Sequence, residues 1–312
     1  MGVAHRGVPA SGIRRKVVIS IIGAAVVTGA LTVELVGRGG QFTAALASAP
    51  VWVLSLTILL QGLALLARTE AWNTCVRATG ATVSRRVLFR AAGFGYLLSL
   101  LNGSLGLAAR IASLRRAAPD TSPRVPALLA AEVPIISVEV LLTAVFSFTL
   151  IGPIGAPWWV PLIAVVLAAA VMTGLRRLST RRQLGLWRGL AVMRSGRGRM
   201  IALVLLAIGA QVARNWLVLW GVGVHVSPFD AIALLITMFT LGQLPIGPSL
   251  GAAATVLILG SHGVASAAAA GVLLTATATI GSLTYAAWAG VDVLLARRSP
   301  GRGDAALAPL LP

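Results

Sequence analysis

Long apolar runs separated by short basic stretches set the plan of this chain. Six runs match the length of a bilayer crossing: Val17–Val36, Val51–Ala67, Val125–Ile151, Trp158–Leu175, Met200–Val222 and Val264–Ala296. A spanning helix needs roughly 20 predominantly apolar residues. The last run exceeds this, so it tilts, bends or protrudes. Two further apolar regions are interrupted. Val87–Leu107 carries "NGSLG" near its end, and Ala231–Leu244 is separated from Ser249–Gly260 by "PIGP". Two prolines and a glycine exclude an unbroken helix there. At about 1.5 Å per residue, neither short segment covers roughly 30 Å of hydrocarbon.

The basic residues decide how these interrupted regions cross. If Val87–Leu107 dips in and returns, and the Ala231–Gly260 pair does so from the opposite face, every Lys and Arg except Arg38 and Arg214 falls on one side. Such a bias marks the cytoplasmic side. The predicted fold is therefore all-α. It is a polytopic integral membrane protein with about six spanning helices plus two oppositely oriented re-entrant helical hairpins, related as an inverted repeat. Residues 1–16 form a basic cytoplasmic N-terminus, 17–298 the transmembrane unit, and 299–312 an unstructured tail. Val17–Val36 is too long for a signal-peptide core and reads as an uncleaved first span. The expected location is the plasma membrane, with both termini cytoplasmic.

Shorter polar segments fit the same plan. Arg68–Arg86 reads as an interfacial helix on the cytoplasmic face, with Gln41–Ala49 as a smaller outer counterpart. The Arg176–Arg199 loop, with Trp187 among its arginines, is expected to rest on anionic lipid headgroups.

Composition sharpens the class. Apolar residues make up 57% and charged residues 11%, against about 25% charged in a soluble domain. The mean hydropathy is +0.91. The net charge of +18 lies at the edges of apolar runs, which assigns it to topology rather than to nucleic acid. A single cysteine, Cys75, excludes an intrachain disulfide. His5, His225 and His262 lie far apart. No HExxH or phosphate-binding loop is present. The chain is accordingly expected to use no cofactor or metal and not to be an enzyme.

Ionisable residues deep in apolar runs carry the functional signal, because each costs roughly 2.5–3.5 kcal/mol at mid-span. Arg214 lies near the middle of Met200–Val222, and Gln211, Arg214 and Asn215 share one helical face. Glu139 lies near the middle of Val125–Ile151, with Glu132 seven residues earlier on the same face. An Arg214–Glu139 ion pair at mid-depth is predicted. The breaks add a second set. Ser104 and Ser249 are placed as helix caps. Gly106 and Gly251 allow close backbone approach, and Asn102 and Gln243 supply amides. Free N–H groups at such helix starts suit anions.

Three stretches carry a family resemblance. "EAWNTCVRATG", "LLNGSLGLAARIASLRR" and "LPIGPSLGAAATVLILGSHGV" resemble, in order and spacing, segments of the flippase-like transmembrane domain of lysylphosphatidylglycerol synthases and its free-standing relatives. The likeness runs from about Val17 to Arg298. It implies family roles for Arg110, Glu132, Gly106, Gly251 and Pro245. Three positions depart from the family pattern: Leu107 and Ala254 stand where it has acidic residues, and Val133 where it has the arginine of a Glu-Arg pair. The family's cytoplasmic aminoacyl-transfer domain has no counterpart in the sequence, so lysyl transfer is not implied.

The expected function is a membrane transporter or flippase for an amphipathic, anionic lipid or lipid-linked substrate. The expected substrate-binding residues are Arg110, Glu132, Glu139, Gln211, Arg214, Asn215, Asn102, Ser104, Gly106, Gln243, Ser249 and Gly251. Expected partners are that substrate, anionic lipids at the Arg-rich loops, and a second copy of the chain; nucleic acid is not among them. The alternatives are a membrane-embedded lipid-modifying enzyme and a non-transporting subunit or regulator of a membrane complex.

Overall fold

The structure, a computed structural model, describes residues 37–100, 103–181, 197–241 and 250–298, together with positions 29, 190 and 192. The described elements are helical throughout. In chain order they are α1 (Gly39–Ser48), α2 (Val51–Ala78), α3 (Arg85–Ser99), α4 (Gly103–Ala117), α5 (Val125–Ala130) and α6 (Val133–Phe146). A 3₁₀ turn (Ser147–Leu150) and α7 (Ile151–Ile154) follow. The remaining helices are α8 (Trp159–Arg181), α9 (Arg197–Gly221), α10 (Pro228–Leu241), α11 (Leu250–Leu259) and α12 (Val264–Arg298).

Four helical stretches are long and apolar enough to cross a membrane: Val51–Ala78, Val125–Ile154, Arg197–Gly221 and Val264–Ala296. Trp159–Leu175 and Pro228–Leu241 are shorter apolar helices. The expected first span, Val17–Val36, lies outside the described residues except for position 29, as does the tail. Large apolar side chains line the outside. On α8, Leu162, Val166 and Leu167 are each more than half exposed, a surface suited to lipid rather than water.

The expected interfacial helix over Arg68–Arg86 is corrected. Residues Arg68–Ala78 continue α2 without a break, and Thr69, Glu70, Trp72 and Asn73 are buried. No proline occurs between Pro50 and Gly80 to stop the helix. It ends instead at Gly80, whose φ of 86° is open to a residue without a Cβ. The Val125–Ile154 stretch is broken. Pro134 has no N–H to bond the Ala130 carbonyl, and a turn at Ala131–Glu132 separates α5 from α6.

α2 and α9 pack antiparallel along their length. Val53 meets Gly221, Gln61 meets Arg214, and Glu70 meets Arg199 at 2.6 Å. Two apolar cores lie at the two ends of this pair. One contains Trp72, Leu88, Leu114, Ile135 and Met200. The other contains Leu219, Leu234, Ala254, Leu259 and Leu274. Along α9, Met200 and Val204 enter the first core and Val218 and Leu219 the second, so Gln211, Arg214 and Asn215 fall between them.

α12 ties the two short-helix pairs together. α11, which packs on α10, crosses α12 at Gly271, where an added Cβ would stand 2.5 Å from the Gly251 carbonyl oxygen. α3, which packs on α4, crosses α12 near Ala289, 2.6 Å from a Cβ added at Gly93. The crossings are about 27 Å apart along the helix axis.

Candidate functional site

Between the two cores lies a cavity of about 610 Å³. Its walls come from α6 (Glu139, Leu142, Thr143 and Phe146), α9 (Leu205 to Trp216) and α10 (Ile232 to Phe239), and Arg68 of α2 reaches in from the side. The lining is apolar apart from a cluster of Arg68, Glu139, Thr143, Gln211 and Arg214. Leu205 and Trp216 are 47% and 41% exposed, so the α9 wall continues onto the outer surface. Gly209 lies on that wall, and a Cβ there would meet nothing within 4 Å.

Charge pairing in the cavity differs from the predicted Arg214–Glu139 pair, which the structure corrects. Glu139 pairs with Arg68 instead. Residue 68 extends into the cavity because α2 does not stop at Ala67. The Arg214 guanidinium, on a residue only 4% exposed, donates to two neutral amide oxygens. Nη1 donates to Gln61 Oε1, and Nη2 donates to Asn215 Oδ1 at 3.2 Å. Among the described residues it has no carboxylate partner. Its Nε, Glu139 Oε2 and Asn215 Nδ2 are buried without a hydrogen-bond partner there. Gln211 and Thr143 have no side-chain hydrogen bond to another described residue.

Arg110 and Glu132, the positions carried over from the family resemblance, meet in a buried ion pair outside the cavity lining. The Arg110 guanidinium carbon also lies 4.4 Å from the centre of the Trp72 ring, a cation–π arrangement. Glu132 occupies the turn that precedes Pro134, where the break in the span frees its backbone from regular helix. Gly95 and Gly106 explain why Arg110 is held there. A Cβ on Gly95 would stand 2.8 Å from Arg110 Cβ, and one on Gly106 would stand 2.8 Å from the Gly95 carbonyl oxygen.

The remaining expected site residues fall elsewhere. Ser104 is the second residue of α4, inside the helix rather than preceding it as a cap, and is exposed. Gly106 and Gly251 serve helix contacts, with Ser99 and Gly271 respectively. Asn102, Gln243, Ser249 and Pro245 lie outside the described residues.

Two cavity-associated residues escaped the sequence reading: Arg68 and Gln61. Arg68 was counted as a flanking basic residue and Gln61 as part of an apolar span. Their signal is positional. Gln61, Arg68 and Trp72 recur at intervals of seven and four, which puts them on one helical face. Two ionic clusters, one on α2 at Glu70 and one between α3 and α12 at Asp292, were equally unforeseen. Arg85 and Arg199 both bond Glu70, and Arg86 and Arg90 both bond Asp292.

No protein-family model matches this chain, and no curated protein matches it.

Proposed function

We propose that this chain is a membrane transporter or flippase that moves an anionic amphipathic lipid, or a lipid-linked substrate, across the plasma membrane. One observation carries the reading: Arg214 is a buried cation whose described partners are neutral, on the wall of an otherwise apolar cavity. Burying an unpaired charge costs several kcal/mol. An anionic headgroup bound beside Arg214 would recover much of that cost. The exposed apolar wall along Leu205, Gly209 and Ala213 suits acyl chains that stay in contact with lipid.

Two further features favour transport. α3 and α11, one helix from each short-helix pair, cross opposite ends of α12, an arrangement that suits two hairpins entering from opposite faces. Arg214 then lies between them, where alternating access needs its substrate. The six-span topology with cytoplasmic termini, and kinship with the flippase-like domain of lysylphosphatidylglycerol synthases, belong to the same proposal.

The test is reconstitution into sealed vesicles with anionic and zwitterionic lipids labelled in one leaflet. Faster appearance of the anionic headgroup in the other leaflet, lost in Arg214→Gln, is the expected result. Translocation no faster than in protein-free vesicles overturns the reading.

A further inference from the structure

The charges on the cavity wall define the headgroup more narrowly than "anionic". The charged lining residues are Arg68, Glu139 and Arg214. Arg68 and Glu139 neutralise each other, leaving one positive charge in excess. A headgroup with one negative charge balances the site. A zwitterion leaves it positive, and a dianion overshoots it.

Hydrogen-bonding capacity adds a second constraint. A guanidinium carries five N–H donors in a planar fork suited to phosphate oxygens. Arg214 uses two of them, and its Nε has no partner among the described residues. Glu139 belongs to a residue 7% exposed. One of its oxygens takes Arg68, and Oε2 has no partner there. An ionised carboxylate oxygen only accepts, so the group that satisfies it must donate. Gln211 and Thr143, both lining the cavity, can either donate or accept. The site therefore offers donors to a phosphate and a charged acceptor to a neutral donor group.

We infer that the cavity selects phosphodiester lipids with one negative charge and a hydroxyl-bearing alcohol, such as a glycerol or sugar headgroup. Arg214 receives the phosphodiester, and Glu139 Oε2 accepts from a headgroup hydroxyl. An ammonium in that position would also donate to Glu139. It would leave the Arg214 and Arg68 charges only partly balanced, and charge neutrality favours the polyol. Glu139 is then a specificity-determining residue. This rests on the transport reading for the identity of the cavity as the substrate site.

The experiment is lipid retention by the full chain in a neutral detergent, read by native mass spectrometry. Four lipids with the same acyl chains are supplied in equal amounts. Phosphatidylglycerol and phosphatidylinositol carry one negative charge and hydroxyls, phosphatidylmethanol carries the charge without a hydroxyl, and phosphatidylethanolamine is zwitterionic. The two hydroxyl-bearing lipids are expected to be retained about tenfold or more above the other two. Glu139→Gln should cut the preference for glycerol over methyl to about threefold or less, because a neutral acceptor bonds a hydroxyl less strongly. Arg214→Gln should bring the anions down to the level of the zwitterion.

Retention of no lipid, an equal ranking of the four, or a glycerol-over-methyl preference that survives in Glu139→Gln overturns the inference. The wild-type ranking decides the matter even where a variant does not fold. Competition by deacylated glycerophosphoglycerol as strong as by the intact lipid overturns the assignment to a lipid. The ranking and vesicle translocation fail separately: the ranking without translocation removes the transport reading alone, and translocation without the ranking removes this inference alone.

Discussion

Gly281 faces Gln61 so closely that a Cβ there would stand 2.6 Å from Gln61 Cγ and 3.1 Å from its Cβ. The missing side chain on α12 leaves room for the amide that accepts from Arg214. Gly281→Ala is expected to push Gln61 away from the guanidinium and destabilise the protein by about 1–3 kcal/mol, the usual range for an overfilled contact. Gly290→Ala on the same helix meets nothing within 4 Å. It is expected to be neutral or stabilising by up to about 1 kcal/mol. Thermal unfolding in one detergent compares the two.

Arg214→Gln is predicted to separate stability from activity. It removes a buried charge that no described carboxylate balances, so the unfolding midpoint should hold or rise while anionic-lipid translocation falls. Residues kept at a cost in stability are characteristic of functional sites. A lower midpoint together with unchanged translocation would assign Arg214 to the fold instead.

The cavity wall at Gly209 offers a test that leaves the charged groups untouched. A side chain there grows into open space, so Gly209→Leu should fold as well as the wild type while filling the surface proposed for acyl chains. Slower translocation at an unchanged unfolding midpoint is the expected result of the paired assays.

The buried Arg110–Glu132 pair should respond differently to single and double replacement. Arg110→Met alone strands Glu132 and is expected to cost about 3–5 kcal/mol. Arg110→Met with Glu132→Leu removes both charges and should recover most of that loss, since a buried ion pair and a well-packed apolar pair are often close in stability. A double-mutant cycle measures the coupling.

The two ionic clusters differ in burial, and their consequences should differ too. Asp292→Asn strands Arg90, whose side chain is 4% exposed, and is expected to cost about 3–5 kcal/mol. Glu70→Gln loosens Arg85 and Arg199, which are 62% and 67% exposed. That loss should stay near about 1 kcal/mol, because water screens and solvates the freed cations. Unfolding of the wild type and both variants at low and high salt gives the comparison, with the loss caused by Glu70→Gln shrinking more as salt rises.

Much of the helical plan was legible in the sequence because it depends on local rules. Apolar run length places Val264–Ala296 and Met200–Val222 on long helices, and "PIGP" separates the two short helices on either side of it. Arg214, Gln211 and Asn215 were legible as one face because helical periodicity alone relates them. Arg68 was not. Its neighbours in sequence make it look like the end of a span, and the uninterrupted α2 shows only when Thr69, Glu70, Trp72 and Asn73 are seen buried.

Sequence by itself determined an apolar helical chain, the separation of two short helices at "PIGP", and the burial of Arg214 and Glu139 within apolar runs. Each of these follows from the cost of placing backbone or charge in hydrocarbon. Tertiary structure alone decided which charges meet. Glu139 takes Arg68 from α2, and Arg214 takes Gln61 from the same helix seven residues earlier. That choice depends on how closely helices approach, through Gly281 against Gln61 and Gly95 against Arg110. It also depends on the antiparallel register of α2 and α9. Periodicity within one helix carries no information about the register of two helices, because register is set by side-chain packing across their interface.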